Sequence, residues 1–493
     1  MRKIFIALLA SLSVLGLASC GGETTKKIRI QYMGWDTGTE ASPTLVSKLI
    51  EEYNRQSTDV QVIAEFLPDP VQNTLNNYAL NESLPDIFLI DSVPVAVAKE
   101  WALDLTPYVT ADPEWENVDK NLRDAITYEG RVFGMPSQQN YVGFLANYDL
   151  IDRKASSIGD ANAEDIFYGG SEKFNYELFF QTIKEVKEIK EGSSVIGVNA
   201  TGDMINWLPS VFENSNMHFV WDSEKQRFDY TGETIIEALT EINKLGNLQE
   251  KNTFNSYADP EAPEDPRIAL FGTADPAEAF LAGKIGFFQG MTSDSVSDID
   301  FNYAFVGYPN NRVVSAGDFL CVSRTCKNPE LAYDVAKFLS FGAAGIEAKY
   351  KIVDDPETDI ELKGLPVNTD PAITGKWFDY VEMNGVQEIY EKVLSGEVTV
   401  IVEGLKPVPG YATARYLADT GITIEGVRNG DSLTIGNLIW DVCEGAIGID
   451  DYKSKMTAEK AELINKEIVD TLNKIKAVVA KYQQTQQPAE PQE

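Results

Sequence analysis

The residues best suited to hold a small polar molecule stand at the ends of short apolar runs. Trp35 and Asp36 follow the alternating stretch Ile28, Ile30, Tyr32, and Asp91 ends the continuous run Ile87 to Ile90. An indole beside a carboxylate offers a flat face for C–H groups and an acceptor for hydroxyls, each hydrogen bond strengthened by the charge. That is the chemistry a polyhydroxylated neutral ligand calls for. Gln138, Asn140 and Tyr141, after the Met135-Pro136 turn, add amide and phenol groups, with bonding to their own loop backbone as the plain alternative. Trp207, Trp221, Trp377 and Tyr380 are candidate stacking platforms, although a Trp is more often core than platform.

Other chemistries find little footing. His218 is the only histidine, which removes imidazole metal triads, and no nucleophile elbow, zinc helix or phosphate loop occurs. The acidic stretches Asp294 to Asp300 and Asp354 to Glu361 lack the glycine of a calcium loop, so neither a metal nor a cofactor is expected. A glycoside hydrolase needs two carboxylates roughly 5–9.5 Å apart. Among 76 acids such a pair arises readily, and this class stays a minor alternative. With 42 Lys and Arg against 76 Asp and Glu the net charge is −34, which argues against nucleic acid and favours neutral or cationic ligands. A chain of 493 residues, 43% hydrophobic, is globular and long enough to split into two cores.

The first residues carry an address. Arg2 and Lys3 precede the apolar run Ile4 to Leu17, too short to span a bilayer, and Leu17-Ala18-Ser19-Cys20 resembles a bacterial lipobox. The resemblance implies a signal peptide over 1–19, lipid on Cys20, and an extracytoplasmic protein tethered at a cell surface or in a periplasm. Loss of Arg2 and Lys3 removes two positive charges and takes −34 to −36. Residues 20–27 are small and polar and read as a flexible tether. Cys321, Cys326 and Cys443 form an odd set, read as structural thiols with a Cys321–Cys326 bridge left open.

The elements that must position these groups alternate strand and helix. After the first strand, Ser42-Pro43 reads as N-cap and first turn before Leu45, Val46, Leu49, Ile50 and Tyr53 at helical spacing. Val60, Val62, Ala64 and Phe66 alternate again, and with Ile87 to Ile90 they make an α/β unit whose ligands should sit at the carboxyl ends of its strands. Amphipathic helices are expected over Tyr176 to Ile189 and Thr234 to Leu245, and a surface loop over Tyr257 to Pro266. Ala461, Ile464, Ile468, Leu472, Ile475 and Val479 predict one long helix with a single apolar face, and 483–493 reads as a disordered tail.

Several segments, taken in order, resemble the sugar-binding family of bacterial ABC-importer solute-binding proteins related to maltose-binding protein. Leu84-Pro85-Asp86-Ile87-Phe88 is similar to its "PD plus apolar strand" element, Tyr128 to Pro136 to its hairpin, and Leu145 to Leu150 to the strand that follows. Ala279 to Phe287, Lys327 to Ala332 with the helix after it, and Leu365-Pro366-Val367-Asn368 resemble three further segments. The resemblance implies an α/β, two-lobed periplasmic-binding-protein type II fold with a ligand cleft between lobes, spanning 28–482. Lobe one is expected mainly over 28–145 with a returning segment near 275–340, and lobe two over the remainder. It also implies that Met291, Thr292, Gly317 and Asp318 line the cleft. This chain departs from the family at Gly290-Met291-Thr292, where a Trp often stands, and at Ala316-Gly317-Asp318, where a Gly-Gly pair often does. The implied function is capture of a carbohydrate, an oligosaccharide by expectation, and its delivery to an ABC permease by a monomeric, non-enzymatic protein. A lipid-tethered glycan-binding adhesin is the alternative.

Overall fold

The computed structural model describes residues 27–39, 41–68, 70–90, 92–190, 194–215, 221–222, 227–248, 266–297, 299–402, 423–428 and 431–485. In chain order the strands are β1 (Ile28–Gly34), β2 (Val60–Phe66), β3 (Ile87–Ile90), β4 (Thr127–Tyr128), β5 (Arg131–Val132), β6 (Met135–Pro136), β7 (Asn140–Asn147) and β8 (Ile196–Val198). They continue with β9 (Trp221–Asp222), β10 (Arg227–Phe228), β11 (Ile285–Met291), β12 (Tyr303–Gly307), β13 (Arg312–Ala316), β14 (Phe319–Val322), β15 (Thr399–Val402), β16 (Thr423–Arg428) and β17 (Asp431–Thr434). The short pairs β4–β5, β9–β10 and β16–β17 are antiparallel hairpins. In the first, Glu129 and Gly130 both take positive φ, the left-handed pair that a tight hairpin demands.

The first sheet has the order β2-β1-β3-β14-β6. β1 runs parallel to β2 and β3, whereas β14 is antiparallel to both β3 and β6. All four residues of β3 are buried, as befits an unbroken apolar run in the middle of a sheet covered on both faces. The helix Leu45–Gln56 covers this sheet with Leu49 and Ile50. Its N-cap is Thr44 rather than Ser42, because Thr44 and Ser47 each accept the other's backbone N–H in a reciprocal capping box.

The second sheet has the order β15-β13-β7-β11-β8, with β12 pairing the far half of β7 beside β13. This divides the chain differently from the expected lobes. β7 lies wholly in the second sheet, so the boundary falls at 137–139 rather than near 145. β11, β12 and β13 also belong there, and the return to the first sheet starts at Phe319 instead of near 275. The reason is non-local pairing: Ala316 stands opposite Asn140, while Phe319 stands between Ile90 and Pro136.

Each sheet has its own core. Ile30, Tyr32, Phe88 and Phe133 centre the first, and Phe144, Phe179, Phe287 and Trp207 the second. The helices Tyr176–Val186 and Glu233–Leu248 serve the second core near their expected bounds. The helix Ala458–Thr485 serves both: Ala461 and Leu472 pack in the second core, Ile475, Val478 and Val479 in the first. From Ala461 to Val479 it spans about 27 Å at 1.5 Å per residue. It continues through Thr485, past the expected start of a tail at 483, because Tyr482 still packs edge-on against Phe133 and anchors the last turns; 486–493 lie outside the described residues. Cys321, Cys326 and Cys443 are free thiols, the first and last fully buried. Cys20 lies outside the described residues. Among the described residues no helix is long and apolar enough to cross a membrane.

Two segments, 137–139 and 317–318, pass between the sheets in contact. Ser137 N–H donates to the Asp318 carbonyl at 2.7 Å, and the Gln138 amide donates to the Asp318 carboxylate at 2.6 Å. A Cβ on Gly317 would stand 2.6 Å from the Gln138 carbonyl oxygen, so only glycine permits this approach. Alongside, Leu365 N–H donates to the Gln139 carbonyl at 2.9 Å. Gly364 has φ +73, and a Cβ there would lie 2.5 Å from Asn140 Oδ1. Gly364→Ala is therefore expected to lower the urea midpoint by the equivalent of about 1–3 kcal/mol; an unchanged midpoint would show that the hinge tolerates a side chain there.

Candidate ligand cleft

Strand direction decides which residues meet. In the first sheet the carboxyl ends of β1 and β3, the end of β6 and the start of β14 share one edge. That edge carries Trp35, Asp36, Ser92, Gln138 and Asp318. In the second sheet the start of β7 and the ends of β8, β11 and β13 share one edge, carrying Asn140, Asn199, Met291 and Ala316. Because 137–139 and 317–318 join these edges directly, the two confront each other across the hinge.

On the first wall, Tyr32 donates its phenol to Asp36 Oδ1 at 2.7 Å. The carboxylate occupies the place of a side chain at Gly34, where a Cβ would come within 2.4 Å of it. Burial pushes the Asp36 carboxyl up to about 6, against the Tyr32 hydrogen bond that holds it down. Tyr32 is itself raised, first by burial and then by the neighbouring Asp36 and Asp318. Trp35 is half-buried and packs one side on the first core. Ser92 is 1% exposed with its hydroxyl unpartnered. Asp91 lies outside the described residues.

The second wall differs from expectation. Tyr141 N–H donates to Thr292 Oγ1 and Thr292 N–H to the Tyr141 carbonyl, both at 3.0 Å, while the Thr292 hydroxyl reaches Asn140 Oδ1 at 3.4 Å. These contacts tie β7 to the turn after β11, and Tyr141 is fully buried beneath the sheet. Met291 is 42% exposed at the edge. Further polar groups at this wall are ones the sequence reading missed. Asn199 Oδ1 accepts the Gln289 N–H at 2.8 Å, and Asp203 is pushed up to about 6 by burial, opposed by a hydrogen bond from Gln289. Gln289 Oε1 has no partner. Trp440 lies against Gly202, where a Cβ would stand 2.7 Å from the indole. Asn199 and Asp203 follow β8, so the strand-end rule would have found them had that three-residue strand been recognised.

Three of the expected platforms are placed elsewhere. Trp207 is fully buried, stacked on Tyr308 at 5.4 Å, and serves the core because the second sheet needs that volume filled. Trp377 is buried with its N–H donating to the Gly364 carbonyl at 3.0 Å, which braces the hinge. Tyr380 stacks on Tyr350 and donates to Asp354, at the wall of a cavity of about 300 Å³ shared with Thr292, Asp294, Leu362 and Lys363. Trp221 pairs with Phe228 through the backbone, and its side chain lies outside the described residues.

Comparison with known proteins decides the family. The bacterial extracellular solute-binding protein family matches over residues 48–354. The chain belongs to it. Among solved structures, an ABC substrate-binding protein from Listeria monocytogenes in complex with cycloalternan is similar with TM-score 0.62 and 15% identity, covering 90% of this chain and 99% of the other. The sugar-binding protein MalE from Xanthomonas citri gives TM-score 0.60 at 11% identity, covering 94% of this chain and 100% of the other. The GacH receptor of Streptomyces glaucescens gives 0.58 at 16%, covering 90% and 100%. At these identities the likeness is one of fold: two lobes of the type II periplasmic kind.

In this solute-binding protein the half-buried carboxylate of Asp36 has a stability signature. A folded value near 6, above the ordinary carboxylate range, means the folded state holds the proton more tightly than the unfolded state. Its stabilising contribution is complete below about pH 4 and is lost as pH rises through about 6. Asp36→Asn should raise the melting temperature at pH 7 and flatten its fall between pH 4 and 6, measured by calorimetry; an unaltered slope would mean the carboxyl is solvated.

Proposed function

We propose that this chain is the solute-capturing component of an ABC import system, holding a neutral oligosaccharide between its lobes and handing it to permease subunits in the membrane. The observation that carries the reading is the pairing of Trp35 with Asp36 on one edge, faced by Asn199, Asp203 and Gln289 on the other, where the Trp440 indole lies against the neighbouring Gly202. Aromatic faces take the C–H surface of a sugar, and carboxylates and amides take its hydroxyls. Cycloalternan and acarbose in the Listeria and Streptomyces neighbours support the same ligand class. A net charge of −34 further disfavours anionic solutes and nucleic acid.

Transport follows from differential affinity. A solute that touches both walls binds the closed form more tightly than the open one, and so shifts the population towards the form that docks on a permease. The protein acts as a monomer, performs no turnover, and stays outside the cytoplasm on lipid attached to Cys20, with 20–27 as tether. Cys20→Ser should leave the protein in the soluble fraction and abolish incorporation of labelled fatty acid; retention in the membrane fraction would remove the lipid from the account.

The decisive test is thermal unfolding of the form starting after Cys20, scanned against mono- and oligosaccharides, polyamines and short peptides. A true ligand at a hundredfold its Kd stabilises by about 2.7 kcal/mol. A shift confined to carbohydrates, without product formation, is the expected result. A shift with peptides or polyamines alone, or release of shortened sugars, would replace this reading.

A further inference from the structure

Among the described residues Phe66 is the most exposed aromatic, 59% accessible, and it packs on neither core. The strand is covered at its start and open at its end, where Ala64, Glu65 and Phe66 are all exposed. Val60 and Val62, on the same face of β2, are each 3% exposed, and Asn54 caps the free edge of the strand at Val62 through bonds of 2.7 and 2.9 Å. Beyond that cap β2 runs four residues further, to the edge where Trp35 and Asp36 stand.

The register locates the ring. Phe66 is the parallel partner of Gly34, so its side chain leaves the same face as a Cβ on Gly34 would. That place is filled by the Asp36 carboxylate. An exposed ring and a hydroxyl acceptor thus lie on one face, one strand apart, with no side chain of Gly34 between them. Outward from the crossing segments the order is β14, β3, β1, β2, three steps of about 4.8 Å, or roughly 14 Å of edge. Asp318, Ser92 and Trp35 with Asp36 occupy the first three positions, and Phe66 the fourth.

We propose that Phe66 is the platform of an outer subsite that stacks one sugar unit of an oligosaccharide beyond those held at Trp35 and Asp36. This rests on the carbohydrate reading and adds a length requirement to it. Short sugars fill the hinge-proximal positions and leave Phe66 bare, whereas longer ones cover it. The ring gives dispersion and apolar burial to a pyranose face without demanding a particular hydroxyl pattern, so the subsite senses chain length more than sugar identity.

The test is isothermal titration of the lipid-free protein and its Phe66→Ala and Phe66→Tyr variants with α-1,4- and β-1,4-linked gluco-oligosaccharides and β-1,4-linked manno-oligosaccharides of one to six units. Phe66→Ala should leave the shortest bound sugar unaffected and weaken longer ones roughly three- to tenfold, with Phe66→Tyr restoring wild-type affinity. Equal loss at every length, or no loss at any, overturns the outer subsite while the carbohydrate reading stands. Wild-type protein that binds no member of the series, although it folds, overturns this proposal and counts against the carbohydrate reading beneath it.

Discussion

Two pieces of chain pass between the sheets so closely that one methyl group would not fit between them, and the arrangement of the molecule depends on that approach. With Gly317 against the Gln138 carbonyl, the backbone of Ser137 bonds to Asp318 and the Gln138 side chain bonds to its carboxylate. The crossing therefore fixes how the two sheets approach each other. Gly364, with its left-handed backbone against Asn140, repeats the constraint on the neighbouring stretch.

Each wall carries a carboxylate that burial has raised to about 6, Asp36 on the first and Asp203 on the second. Asp36 is held by the Tyr32 phenol and its own backbone N–H, Asp203 by Gln289. Such groups cost stability at neutral pH, yet they have already given up much of their water, so a solute hydroxyl displaces little more on binding. A binding protein gains from acceptors prepared in this way. The expense is met elsewhere, in two large aromatic and aliphatic cores and a helix of 28 residues that packs into both.

Large aromatic residues divide between these duties according to neighbours that no local pattern reveals. Trp207 fills a core already rich in Phe144, Phe179 and Tyr308, and Trp377 braces the hinge through its indole N–H. Trp35, at the end of β1, and Trp440, against Gly202, remain half-buried. The same residue type thus serves as packing or brace or stays partly open to solvent, and neighbours rather than identity sort them.

What the amino-acid order determined by itself was local. Alternation defined β1 and β2, the four apolar residues of β3 declared a strand covered on both faces, and the end of the alternation placed Trp35-Asp36 just beyond β1. The repeated stripe from Ala461 to Val479 declared a long one-faced helix. The tertiary structure alone decided which strands share a sheet, because pairing of β13 with β7 and of β14 with β3 joins residues far apart in sequence. It also decided the second wall. β8 is too short to show a period, and Asn199 and Asp203 meet Gln289, and Gly202 meets Trp440, only after three separate segments fold together. Local patterns are set by the geometry of the backbone, whereas a binding wall is set by which distant segments pack together.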